Sequence, residues 1–292
     1  MIHLDALNAG NREDFVAALG AIFEHGAWVA ERAFAARPFA TVAALHEAMM
    51  AALTGASAEG RLAMIKGHPE LGGKVARAGD MAAASRQEQG ALGLDRLGDA
   101  EFARFERANA AYAERFGFPF IIAVRRHTRD SILAQFERRL ANDRETELAT
   151  AITEIGHITR LRIVAAVDGP GKPKTDGRLS THVLDTVAGC PAAGVRLVLR
   201  EIGESAQSVL KETITNADGR TDEPLMSGAP LRIGRYEIAF HIGAYFAARG
   251  TALADPPFLD VVPIRFAIAE PEGHYHVPLL ASPWSFSTYR GS

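Results

Sequence analysis

The chain has 292 residues, more than one domain of roughly 100–200 residues, so two domains are expected. Hydrophobic residues at 48% and charged residues at 23% exclude wholesale disorder, and a net charge of −3 offers no basic field for nucleic acid. The single cysteine, Cys190, excludes an intrachain disulfide, no apolar run approaches the ~18 residues that span a bilayer, and MIHLDALNAGNRED lacks the basic-then-apolar order of a secretory leader, so a soluble cytoplasmic protein is expected.

Residues 1–167 read as an all-helical domain. In DFVAALGAIFEHGAWVAERAFAA apolar residues recur at helical spacing behind Asn11 as N-cap, with Glu13 and Asp14 in the first turn. Thr41 is placed to cap TVAALHEAMMAAL, and Asp99 to cap DAEFARFERANAAYAERFG, whose Gly117 stands where a helix end takes a left-handed residue. The last helix runs from about Asn142 to Val167, with Leu148, Ile152, Ile155 and Ile158 on one face. Loops are expected at 54–60, 66–73 and 117–120.

At DGPGKPKTDGR, residues 168–178, Gly, Pro and Lys crowd together as in an exposed linker. Residues 179–292 then alternate in short runs, VRLVLREI, RYEIAFHI, VVPIRFAI and HYHVPLL, with an Asp-Gly turn after KETITN, which predicts an all-β sandwich.

In the helical half the unusual stretch is GHPELGGK, residues 67–74. Proline keeps His68 out of α conformation and the glycines permit tight turns, so the loop is expected to hold an exposed imidazole. SRQEQ follows, with Ser85, Glu88 and Gln89 on one helical face. Imidazole, carboxylate, amide and hydroxyl together suit a site that recognises a polar heterocycle and moves a proton. The competing reading has His68 capping a helix and Glu88 on solvated surface.

HPELGGK, SRQEQ, YAERFGFPFIIAVR and ELATAITEIGHITRLRI resemble, in order and spacing, the 2-oxo-4-hydroxy-4-carboxy-5-ureidoimidazoline (OHCU) decarboxylases over nearly all of residues 1–165. The resemblance implies an all-helical, cofactor-free enzyme forming (S)-allantoin. It makes His68 the catalytic histidine; an imidazole suits acid/base work near neutrality, and a carboxylate next to it, Glu88, is expected to hold its tautomer and favour its protonated form. It assigns Pro69 to shaping the loop, Ser85, Glu88 and Gln89 to the ureido and ring groups, Arg162 to the substrate's negative charge, and Phe118 and Ile122 to the pocket wall.

In the second half, periodicity places His182 on a strand, and His274 and His276, two apart, on one strand face. His-x-His is a common metal pair, yet catalytic zinc needs a third ligand with support behind it, and Cys190 has no cysteine partner, so zinc and ordinary structural histidines both stay open.

STHVLDT, TNADGR, the HYHVPLL and SP block and the terminal YRGS resemble the transthyretin-related 5-hydroxyisourate (HIU) hydrolases over nearly all of 178–292. That family uses no metal. The resemblance implies a catalytic trio of His182, Arg220 and His276, with Tyr289, Arg290, Gly291 and Ser292 lining the pocket, His274 a weaker candidate, and a homo-tetramer built through the sandwich with its sites in a groove between subunits. Trp284 and Phe286 stand where that family often has tyrosine.

The two resemblances together imply a bifunctional enzyme acting on small ureido and imidazoline substrates, with a binding or interaction module as the alternative. RLRIVAAVD at the junction lacks the Arg-Leu, five residues, His-Leu form of a peroxisomal address, and the carboxyl end is not a peroxisomal tripeptide.

Overall fold

The computed structural model describes residues 1–72, 83–204 and 207–291. The chain divides into two compact units, Met1–Arg125 with Ser131–Thr175, and Arg126–Asp130 with Asp176–Ser292. Arg126–Asp130 joins the second unit through hydrogen bonds such as Ile233 N to Arg126 O at 2.7 Å.

The first unit is helical. Its elements are α1 (Leu4–Ala9), α2 (Arg12–Leu19), α3 (Ala27–Ala33), α4 (Val42–Thr54), α5 (Ala58–Lys66), α6 (Ala83–Ala91), α7 (Asp99–Phe116), most of α8 (Arg129–Arg139) and α9 (Arg144–Ala166). Two short strands, β1 (Ile2–His3) and β2 (Val167–Asp168), pair in parallel and bring the unit's two ends together. Asn11 and Thr41 cap as expected, accepting from Asp14 N and Ala44 N, and Gly117 closes α7 at φ 75°.

Two expectations fail. The 14–36 pattern is not one helix, because the chain leaves α2 at Gly20 and re-enters at α3, with His25 at φ 51° between them. Asp99 is the first residue of α7 rather than its cap, which is Gly98 without any side-chain bond. The division between the units falls within 168–178, where Pro170 and Gly171 carbonyls accept from Val42 and Ala43 N, satisfying donors at the start of α4, and Gly177 N binds Ala229 O.

The core of this unit is aromatic. Tyr112, Phe116, Phe118, Phe120 and Phe136 pack ring to ring, with Phe120 stacked on Phe136 at 3.7 Å. Inside that cluster lies an ion pair, Arg139 with Glu147, the latter fully buried. Glu147 also accepts from Tyr112 Oη and, at 2.8 Å, from Asn142 Nδ2, while Arg139 donates to Ile121 O at 2.7 Å. Ala123 N donates to Glu154 at 2.8 Å, so charged side chains of α8 and α9 pin the 120–124 backbone.

His46 of α4 is buried, its Nε2 2.9 Å from Thr159 Oγ1 of α9, and burial, followed by the Arg160 charge, lowers its pKa from 6.5 to about 4. The folded state therefore binds this proton less readily than the unfolded chain, and stability is lost as pH falls below about 6.5 until the folded pKa is reached. The loss expected by pH 5 is roughly 2 kcal/mol, and His46→Gln should flatten the acid limb of the urea midpoint against pH for this unit.

The second unit is a sandwich. One sheet orders β7 (Gln207–Ile214), β6 (Arg196–Ile202), β8 (Gly234–His241) and β9 (Val261–Ile268), all antiparallel neighbours. The other orders β12 (Phe286–Ser287), β11 (Leu279–Ala281), β4 (Val183–Asp185) and β5 (Cys190–Pro191). A separate parallel pair, β3 (Arg178–Ser180) with β10 (His274–His276), sets His276 opposite Ser180. Leu197, Leu199, Ile238, Phe240, Val183 and Leu279 fill the space between the sheets, and Pro263 sits on edge strand β9 where a missing N–H costs least. A helix, α10 (Ile242–Ala248), interrupts the strand pattern after RYEIAFHI and was not legible as one. Among the described residues no helix is long and apolar enough to cross a membrane.

Candidate active sites

The first unit holds a narrow cleft of about 30 Å³ lined by His68, Pro69, Ser85, Glu88, Gln89 and Arg162, with Leu71, Phe120, Ile121, Ile122, Val124 and Ile158 supplying its apolar walls. Seven of the eight residues expected here thus meet. Phe118 does not: it is 2% exposed and packs on Tyr112 and Phe116, and Phe120 takes the wall position. Gly73 and Lys74 of the loop motif lie outside the described residues.

Local chemistry explains the loop. Gln89 of α6 accepts from Gly72 N at 3.0 Å and donates to Glu70 O at 3.3 Å, and Asn109 of α7 donates to Leu71 O at 2.8 Å. These amides take up backbone groups that the loop itself leaves unpaired. His68 is half-buried rather than exposed, and its Nδ1 lies 2.9 Å from Met64 O near the end of α5. A carbonyl only accepts, so Nδ1 carries the hydrogen and the neutral ring leaves Nε2 with its lone pair. Burial lowers the His68 pKa; the Met64 bond and the Glu24 charge oppose it, and Arg162 and His25 reinforce it. The tautomer is therefore held by Met64 and not by Glu88, and the neutral form, not the protonated one, is favoured.

Glu88 is engaged elsewhere, and it is not solvated surface. Its two oxygens accept from Arg162 Nε at 3.0 Å and Nη2 at 2.9 Å. The three guanidinium nitrogens make five hydrogen bonds, the others reaching Ser85 Oγ at 3.1 Å and Glu24 Oε2 and Ile22 O at 3.3 Å each. Burial works against the Arg162 charge, but Glu88 and then Glu24 outweigh it and raise its pKa. Glu24, 4% exposed, also accepts from Ser85 Oγ at 2.8 Å. It sits in IFEHGAW, inside what reads as a continuous helix, and the single available signal was the Gly26 that breaks it.

The second site gathers residues from opposite ends of the sandwich sequence. His182 lies in the break between β3 and β4, not on a strand as periodicity predicts. Its Nε2 is buried with no hydrogen-bond partner among the described residues. Burial and then Arg220 lower the His182 pKa, partly offset by a hydrogen bond to the Asp218 backbone. His276 responds to burial first, then to Arg220, His182 and His274, all of which lower its pKa. Both rings are thus neutral near neutral pH, with one guanidinium acting on the pair. His274 and His276 share a face, as expected, and both contact Ser180 Oγ.

An open cleft of about 510 Å³ is lined by His274, His276, Tyr289, Arg290 and Gly291. The chain end reaches it because Gly291 N donates to His276 O at 2.9 Å, while Arg290 lies 4.7 Å over the Tyr275 ring. Tyr289, Trp284 and Phe286 are exposed, and Ser292 lies outside the described residues. Among the described residues no three His, Cys, Asp or Glu side chains gather as a metal site.

The family model of OHCU decarboxylase matches residues 8–164, and that of the HIUase/Transthyretin family matches residues 179–291. A 5-hydroxyisourate hydrolase 2 of Rhizobium meliloti is 53% identical over 116 residues, 40% of this chain and 97% of the relative. The chain belongs to the OHCU decarboxylase and HIUase/transthyretin families. For the decarboxylase family unit, a relative from Haloferax volcanii is 41% identical over 160 residues, 55% of this chain and 93% of the relative. The crystal structure of (S)-allantoin synthase spans both family units, covering 100% of each chain at 35% identity and a TM-score of 0.53. The decarboxylase family unit carries the cleft around His68, and the HIUase/transthyretin unit carries the cleft around His276.

Proposed function

We propose that the chain is a bifunctional enzyme of urate breakdown, hydrolysing 5-hydroxyisourate to OHCU in residues 179–292 and decarboxylating OHCU to (S)-allantoin in residues 1–167. The observation that carries this reading is the full-length likeness to (S)-allantoin synthase. Freshly generated 5-hydroxyisourate, followed by circular dichroism, tests it: optically active allantoin is expected, and a racemic product formed at the uncatalysed rate would overturn it.

In the hydrolase, His182 is the base. Its Nε2 takes a proton from water as the oxygen attacks a ring carbonyl, and Arg220 binds the developing oxyanion, with His276 beside it to take up a proton later in the reaction. Collapse breaks the C–N bond, and the ring nitrogen takes up a proton. Tyr289, Arg290 and Gly291 shape the rim of the cleft, and a homo-tetramer formed through the sandwich would complete it.

Decarboxylation leaves an electron pair that the substrate's own ring delocalises, so the reaction requires no cofactor. His68 Nε2 accepts the proton of the substrate hydroxyl as a carbonyl forms, and a proton is added to carbon on one face. Pro69, Gln89, Phe120 and Ile122 position the ring, and Ser85 and Glu88 hold its polar groups. Because Arg162 is saturated by protein acceptors, it meets a substrate carboxylate only by exchanging one of its bonds, the half-buried Glu88 being the accessible partner. Localisation in the cytoplasm fits this reading.

The pinned chain end yields a separate expectation. A Cβ at Gly291 would stand 2.6 Å from His276 Cδ2, too close for the ring to keep its place. Gly291→Ala is expected to lower hydrolase kcat/KM about 10- to 100-fold and leave the decarboxylase unchanged, checked by assaying each step on the same preparation. A C-terminal tag should act in the same direction.

A further inference from the structure

Ser180 Oγ lies 3.0 Å from His276 Nδ1 and 3.1 Å from His274 Nε2. A hydroxyl has one hydrogen, so between two neutral imidazoles it donates to one and accepts from the other. The tautomers of the two rings are therefore coupled: if His276 carries its hydrogen on Nδ1, Ser180 donates to His274 Nε2, and His276 Nε2 is a lone pair. His276 is half-buried, whereas His274 is exposed. The three groups form a continuous line from inside the site to its surface.

We propose that Ser180 and His274 are a proton relay serving His276 during hydrolysis, an inference that rests on the hydrolase reading above. Opening a ring amide yields a carboxylic acid, which at neutral pH sheds a proton that must leave the site. His276 Nε2 takes up that proton and its Nδ1 hydrogen passes to Ser180 Oγ. The Ser180 hydrogen passes to His274 Nε2, and the resulting imidazolium releases its Nδ1 hydrogen to water. Rotation of the hydroxyl and exchange with solvent restore the starting tautomers, with no net change in the protein.

Charged groups flank the line at both ends. Burial, then Arg220, His182 and His274, all disfavour a resident imidazolium at His276. On the outer side, Arg178 is the register partner of His274, and Arg290 and Tyr289 share the cleft wall, with Glu270 3.9 Å from Arg290. Ser180 and His274 are positioning residues in this scheme, since neither needs to touch substrate.

The test compares full-length wild type with Ser180→Ala, Ser180→Thr and His274→Gln by kcat, KM and pH–rate profile in ordinary and heavy water. The expected result is a kcat about 10-fold lower in Ser180→Ala and His274→Gln with KM within about twofold, recovery in Ser180→Thr, and partial rescue of His274→Gln by added imidazole. The solvent isotope effect should change in the two relay-broken variants. Unaltered kcat and an unaltered pH profile in both would overturn the relay, as would equal losses in kcat/KM with no imidazole rescue. Wild type without hydrolase activity would instead overturn the hydrolase reading itself.

Discussion

His68→Ala is expected to remove decarboxylation while hydrolysis proceeds, and His182→Ala to do the reverse, each lowering its own step about 10²- to 10⁴-fold. The expectation rests on a shared design. In both sites burial is the leading cause that keeps a histidine ring neutral, and in the first the Met64 carbonyl also fixes its Nδ1. Each site therefore presents one unprotonated nitrogen as a base, and alanine removes it without leaving a buried charge unpaired. Activity of each variant should fall on the acid side as its histidine protonates. Because both folded pKa values are depressed, that acid limb lies below the ordinary histidine range. Product chirality separates the steps: His68→Ala should consume 5-hydroxyisourate at the wild-type rate and give racemic allantoin. Retention of both activities in both variants would show that neither histidine has the assigned role.

Glu147→Ala should be the most damaging single change to the helical unit. It leaves the Arg139 guanidinium, 3% exposed at its side chain, without its carboxylate and takes the acceptor from Tyr112. Breaking one side of a buried pair costs about 3–5 kcal/mol, because the remaining charge stays desolvated. For a unit of this size that corresponds to a melting point lower by about 10 °C, read by calorimetry as a downward shift of one transition. The double variant Arg139→Met with Glu147→Leu should recover much of the loss, since apolar residues of similar volume replace such pairs at little cost. The same pair fixes Ile121 O and underlies Phe120, two residues of the cleft wall, so survivors should show a raised KM for OHCU. A Glu147→Ala protein with wild-type melting behaviour would remove the pair from any stabilising role.

Much of the fold was legible because it is written in local chemistry. Asn11, Thr41 and Gly117 end helices through their own side-chain or backbone conformations, and period-two alternation marks β6, β8 and β9. The break at Gly20–Gly26 was hidden because its apolar residues keep helical spacing while the backbone does not. The helix after RYEIAFHI was hidden for a related reason, since a short apolar run satisfies strand and helix alike.

Residue types and their order determined by themselves that this chain has a helical half and a strand half, that His68 sits beside a proline in a glycine-rich loop, and that the chain ends in YRGS. The tertiary structure alone decided which groups those residues meet. It placed Glu24 on Arg162, gave Glu88 to the same guanidinium, moved Phe118 away from the cleft and put Phe120 there, and joined His276 to both Ser180 and Gly291. The physical reason is distance along the chain. Caps and turns act over three or four residues, but an ion pair 138 residues apart forms only when a whole core has closed around it, and burial then sets which partner each charge must take.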